Sequence, residues 1–209
     1  MFKNNEVPIL SILRGIDRNA LELLAEIFIK TGIRYTEITM NTKNAPDLIK
    51  TMKGIAGNEF VVGAGTVLSV EDIDKAMEAG ASFIVCPSVI EDVIDKCCKN
   101  NIPVFPGALT PTEVHRAWDM GATMVKLFPA TAFGPSYIKA LKAPFNEIKI
   151  MAVGGINDET ISTFFANGAD AVAVGASIFR LEWIEDKRFS LIEDKLTSLI
   201  RRYRQEDIA

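Results

Sequence analysis

The chain has 209 residues, of which 48% are apolar and 24% charged, so wholesale disorder is excluded and one domain or two small ones are expected. A core of that size needs no metal or disulfide staple. The net charge of −4 excludes a general nucleic-acid binder, and the three cysteines, Cys86, Cys97 and Cys98, form a poor disulfide framework that points to a reducing cytoplasm.

The first apolar run, Val7–Leu13, is cut short by Arg14. It is too short to span a bilayer and carries no cleavage pattern, so neither a membrane segment nor a targeting segment is expected. It reads as a strand, followed by a helix over Ala20–Thr31 with apolar residues at three- and four-residue spacing. Strands are predicted at Tyr35–Met40 and Phe60–Ala64, then a helix over Glu71–Ala79. Further strands follow at Phe83–Cys86, Pro103–Phe105, Met124–Phe128, Ile148–Val153 and Ala171–Val174. Gly32, Gly80, Gly121 and Gly168 stand where helices should stop. A similar text recurs there: Ala79-Gly80-Ala81, Met120-Gly121-Ala122, Asn167-Gly168-Ala169.

This uninterrupted strand–helix alternation predicts a single (β/α)₈ barrel over residues 1–209. The competing architecture is a doubly wound open sheet, whose Gly-rich phosphate loop normally follows the first strand. Here the first strand ends in Leu13-Arg14-Gly15 with no GxGxxG, and the glycine-rich turns come after the seventh and eighth strands. The basic tail Arg201-Arg202-Tyr203-Arg204 reads as a solvated helix end.

Barrels do their chemistry at the C-terminal ends of the strands. The polar residues there are Arg14, Glu37, Thr39, Thr66 and Lys126. Lys126 sits in Met-Val-Lys-Leu-Phe-Pro and shares the inward face with Met124 and Phe128, while Val125 and Leu127 face the helices. An inward lysine is either ion-paired, with Glu37 as the available carboxylate, or an imine-forming amine whose pKa is lowered by desolvation. Glu37, with Thr39 on the same face, is a core ion-pair partner or a general acid/base. Gly63-Ala64-Gly65-Thr66 is a tight turn with Thr66 as helix cap, or a donor set for a carboxylate that Arg14 could also clamp. Gly154-Gly155 and Gly175-Ala176-Ser177 close the last two strands, where barrels commonly bind phosphate through backbone N–H groups. His115, the only histidine, lies in the helix-like stretch Pro111–Trp118 and reads as a surface residue, so a zinc site or a Ser-His-Asp triad is not expected.

Taken together, Ile12-Leu13-Arg14-Gly15, Glu37-Ile-Thr, Gly63-Ala-Gly-Thr66-Val, Lys126-Leu-Phe-Pro129, Gly154-Gly155 and Gly175-Ala-Ser177 resemble the 2-keto-3-deoxy-6-phosphogluconate (KDPG) aldolases and their relatives acting on the galactonate epimer. The resemblance implies a class I aldolase that needs no metal or cofactor and assembles as a homotrimer. Its partners would be a phosphorylated keto acid and pyruvate. Lys126 would be the Schiff-base lysine and Glu37 the general acid/base. Arg14 and Thr66 would hold the pyruvate carboxylate, Pro87 and Phe128 would wall the site, and Gly154, Gly155, Gly175 and Ser177 would hold the phosphate. Asn41 stands where many relatives carry arginine, Cys86-Pro87-Ser88 where they carry Ser-Pro-Gly, and Val153 where threonine is frequent. Asn41, Val153 and the segment Phe133–Leu141 are similar to the galactonate-type branch, and Asn41 could reach substrate C4 from the mouth of the second strand. The alternatives are 4-hydroxy-2-oxoglutarate (KHG) aldolase activity, or a phosphosugar isomerase, synthase or sensor in which Lys126 is only an ion-pair partner.

Overall fold

The computed structural model describes residues 6–206. Nine strands form one parallel sheet: β1 (Ile9–Leu13), β2 (Tyr35–Thr39), β3 (Val61–Gly65), β4 (Ile84–Val85), β5 (Val104–Phe105), β6 (Gly107–Ala108), β7 (Val125–Leu127), β8 (Ile150–Val153) and β9 (Ala171–Val174). Their order is β5-β4-β3-β2-β1-β9-β8-β7-β6. β5 and β6 are two halves of one run, broken at Pro106, which has no N–H to donate to a ladder. Cys86 N–H donates to the Phe105 carbonyl at 3.1 Å on one side of this run, and Lys126 N–H to the Pro106 carbonyl at 2.9 Å on the other. The run therefore joins the two ends of the sheet, and the barrel closes with eight staves. Lys126 lies on the sixth stave, and the glycine turns follow the seventh and eighth, as the sequence predicts.

Each stave leads into helix: α1 (Leu21–Thr31), α2 (Ala45–Ala56), α3 (Val70–Glu78), α4 (Glu91–Lys99), α5 (Pro111–Asp119), α6 (Ser136–Lys142), α7 (Ile161–Ala166), and after β9 the pair α8 (Leu181–Glu185) and α9 (Phe189–Glu206). Local chemistry sets the starts. Thr110 and Glu113 form a reciprocal capping box ahead of Pro111 in α5. Ser69 accepts the Asp72 N–H at 3.1 Å at the head of α3. The four glycines expected to end helices have φ between 81° and 96°. The first strand is shorter than its apolar run because Pro8 cannot donate, and the third gains Gly65, which pairs with Thr39.

Alternation along the staves separates two cores. Leu10, Tyr35, Phe83, Val85, Phe105, Met124, Met151 and Val153 fill the barrel, with Phe83 and Phe105 edge-to-face at 5.8 Å between ring centroids. Val125, Leu127, Leu13 and Ile38 pack instead with the helices. The inward face of β7 is thus the one that carries Lys126. His115 lies on α5 with its side chain 54% exposed, 3.4 Å from Asp119 and stacked on Phe145. Among the described residues no helix is long and apolar enough to cross a membrane.

Candidate active site

The C-terminal ends of the staves surround a cleft of about 660 Å³. Arg14, Thr66, Pro87, Lys126, Phe128, Gly154, Gly155, Gly175 and Ser177 all line it, so the structure brings together most of the residues singled out from sequence. Glu37 and Asn41 are not part of the lining. Glu37 is sealed into the barrel at 1% exposure, and Asn41 is exposed and joined to the site through Arg14.

Lys126 is 6% exposed, and its Nζ stands 5.0 Å from the centroid of the Phe128 ring. Burial draws its pKa below the ordinary lysine range, the Glu37 carboxylate pulls it back up, and the Arg14 guanidinium adds to the lowering. Burial also pushes Glu37 up to about 7, against the attraction of Lys126 and Arg14. Its Oε2 is buried without a hydrogen-bond partner. Among the described residues no ion pair joins Glu37 to Lys126. A structural ion pair would hold both groups charged and in contact. Here each is displaced toward its neutral form, which is the condition for proton exchange near neutral pH. Gly65 makes room for the carboxyl group, since a Cβ there would collide with Glu37 Oε1.

Arg14 leaves the end of β1 and is held by two acceptors. Nη2 donates to Thr66 Oγ1 at 3.1 Å and Nη1 to Asn41 Oδ1 at 3.2 Å. Thr66 adopts φ +54°, a left-handed conformation costly for a β-branched residue. It does not cap α3, because Ser69 does. With its oxygen accepting from Arg14, the Thr66 hydroxyl keeps its proton for an anion in the cleft. Guanidinium and hydroxyl together form a clamp suited to a carboxylate.

At the opposite end, the backbone N–H groups of Gly154, Gly155, Ala176 and Ser177 donate to no backbone carbonyl among the described residues. The Ser177 hydroxyl donates to the Ile156 carbonyl at 2.8 Å and ties the two late loops together. Among the described residues, Arg14 and Lys126 are the only cationic side chains in the lining. An anion at the glycine end would therefore be held by backbone dipoles. Ala173, Phe179 and Leu181 also line the cleft and were not singled out from sequence, while Ile12, Ile156 and Ala176 belong to motifs read there but were given no role of their own. Ile12 and Ala173 could have been found from the alternation of β1 and β9. Phe179 and Leu181 follow the last strand without a periodic signal.

A family model described as "Aldolase: KDPG and KHG aldolase" matches residues 2–195. The chain belongs to the KDPG and KHG aldolase family. It is 35% identical over 178 residues to the 2-dehydro-3-deoxy-6-phosphogalactonate aldolase of Escherichia coli (strain K12), covering 84% of this chain and 86% of that one. It is 33% identical over 178 residues to the 2-dehydro-3-deoxy-phosphogluconate aldolase of Haemophilus influenzae, covering 85% and 83%. A solved structure described as "Native KDPGal structure" superposes with a TM-score of 0.92 at 30% identity, over 100% of both chains. This aldolase is a carbon–carbon lyase, and its barrel is the one its family uses.

Proposed function

We propose that this aldolase cleaves a six-carbon 2-keto-3-deoxy-6-phospho sugar acid, of gluconate or galactonate configuration, to pyruvate and glyceraldehyde 3-phosphate through an imine on Lys126. The observation that carries the reading is a buried lysine and a buried glutamate with one oxygen unpartnered, both displaced toward neutrality, between a carboxylate clamp and a cradle of backbone N–H groups that donate to no backbone carbonyl among the described residues. Names of relatives at 35% and 33% identity support both epimers.

In the proposed reaction the Lys126 amine adds to the C2 ketone, and loss of water gives the iminium. Glu37, which does not itself line the cleft, takes the C4 hydroxyl proton through an intervening water as the C3–C4 bond breaks. The bond's electron pair passes to the iminium nitrogen and leaves an enamine. Carbons four to six depart as glyceraldehyde 3-phosphate. Protonation of the enamine carbon and hydrolysis of the imine release pyruvate and regenerate the amine. Arg14 and Thr66 hold the C1 carboxylate, and the loops at Gly154–Gly155 and Gly175–Ser177 hold the phosphate. Pro87 and Phe128 wall the reacting carbons. The trimeric assembly implied by the resemblance and the reducing compartment inferred from the cysteines belong to the same proposal, and the mass in solution reads the former directly.

The reading is tested by kcat/KM on each pure epimer. Asn41 is neutral and already accepts from Arg14, so it leaves the region near C4 without a second cation. Both epimers should be cleaved, the galactonate form at least comparably. A gluconate preference above about 100-fold would show that Asn41 does not relax the site. No cleavage of either epimer would overturn the substrate assignment.

A second measurement addresses the phosphate end. Ser177→Asp places a negative charge beside the free N–H groups. It should raise KM for the phosphorylated substrate more than about tenfold by like-charge repulsion. A non-phosphorylated 4-hydroxy-2-keto acid should be affected far less, and equal losses on both would put the phosphate elsewhere.

A further inference from the structure

Arg14 can hold a carboxylate only if the turn that carries it is fixed, and its own loop supplies little to fix it. Gly15 follows it at φ +69°, a conformation a glycine adopts without strain, with the Leu181 side chain 3.2 Å from where a Cβ would lie. The Gly15 N–H donates to no backbone carbonyl among the described residues; it donates at 3.0 Å to Oγ1 of Thr42, in the loop after β2. Thr42 is 5% exposed and is itself held twice. Its Oγ1 lies 2.9 Å from Oγ1 of Thr39, which is fully buried on the inward face two residues beyond Glu37. Its N–H donates to the Thr39 carbonyl at 2.8 Å. The loop after β2 thus grips the Arg14–Gly15 turn at two points: Asn41 on the guanidinium and Thr42 on the backbone.

We propose that Thr42 is a positioning residue that sets the direction of the Arg14 clamp through the backbone N–H of Gly15. It touches no substrate. The Gly15 N–H is part-buried and Thr42 Oγ1 is its acceptor, so removing that acceptor unties the turn from the loop after β2 and lets it shift toward water, and the guanidinium moves with it. Thr39 is the anchor that ties this arrangement to the strand bearing Glu37. Lys126 and Glu37 stand on the inward faces of β7 and β2, so their places in the barrel do not depend on the turn, and Arg14 reaches them only through its charge.

This proposal rests on the imine reading, and its test separates the two. Borohydride trapping is followed with pyruvate and with methyl pyruvate, the same ketone without the negative charge. In Thr42→Val, which keeps the shape and removes the acceptor, trapping of pyruvate should fall about tenfold, the scale of a weakened charge-assisted hydrogen bond. Trapping of methyl pyruvate should stay close to unchanged, and Thr42→Ser should restore the pyruvate rate. Equal losses with both ketones would mean general damage to the site and would overturn the positioning role. So would an unaltered pyruvate rate in Thr42→Val. Failure of the unaltered protein to trap pyruvate at all would remove the imine, and the carboxylate clamp that Thr42 is proposed to serve would fall with it.

Discussion

Lys126→Met is expected to abolish both cleavage and pyruvate labelling while leaving the protein folded. Pyruvate plus borohydride should add a three-carbon adduct to Lys126 in the unaltered chain, read by peptide mass. Removing an enzyme's nucleophile commonly costs about 10⁶-fold in rate, so a loss above about 10⁴-fold is expected here. The same change should not destabilise. Lys126 is buried with its pKa drawn below its unfolded value, so the folded state is penalised wherever the unfolded chain would protonate the amine. That penalty is absent above the unfolded pKa and grows as pH falls toward the folded one. Methionine fills a similar volume with no charge, so the variant's Tm should match or exceed that of the parent, by a margin that widens toward acid pH. An adduct on Lys139 or on Lys142, which is paired with Asp170 at 2.6 Å, would overturn the assignment.

The barrel was legible because a strand buried on both faces has little freedom of composition. Runs such as AVAV and IMAV can be little else, and their spacing leaves room for one helix between each pair. The inward lysine was legible for the same reason: a charge amid alternating apolar residues must face one core or the other. What stayed hidden depends on contacts between loops. The break at Pro106, which divides one stave in two, follows from a missing N–H that hydropathy does not register. Thr66 could have been a helix cap, and only the bond from the Asp72 N–H to Ser69 Oγ excludes that. Asn41 was expected to reach toward C4 from the mouth of the second strand; the structure adds that its amide oxygen accepts from Arg14. Thr42 carried no signal, because a threonine in a loop is ordinary until the N–H it accepts is known.

Glu37→Gln separates the two roles the sequence left open for this residue. Acting as the proton carrier, Glu37 should cost about 10²- to 10⁴-fold in kcat when replaced by an amide of equal size. Its effect on stability has the opposite sign. Burial raises the carboxyl from its usual 4.5 to about 7, so between those values the folded state binds the proton that the unfolded chain has released. The parent therefore loses stability as pH rises from 4.5 through 7, by at most about 3 kcal/mol for a shift of this size. Glutamine does not titrate. The variant's advantage in Tm should accordingly be smallest below pH 4.5 and reach its full value above pH 7. A third readout ties the pair together. The Glu37 charge partly offsets the lowering of Lys126, so without it the lysine should lose its proton at still lower pH, and the acid limb of pyruvate trapping should move down. A purely structural glutamate would leave kcat within about tenfold and would not be expected to shift that limb. A kcat loss with the limb unmoved would place Glu37 in proton transfer but outside the electrostatic reach of Lys126.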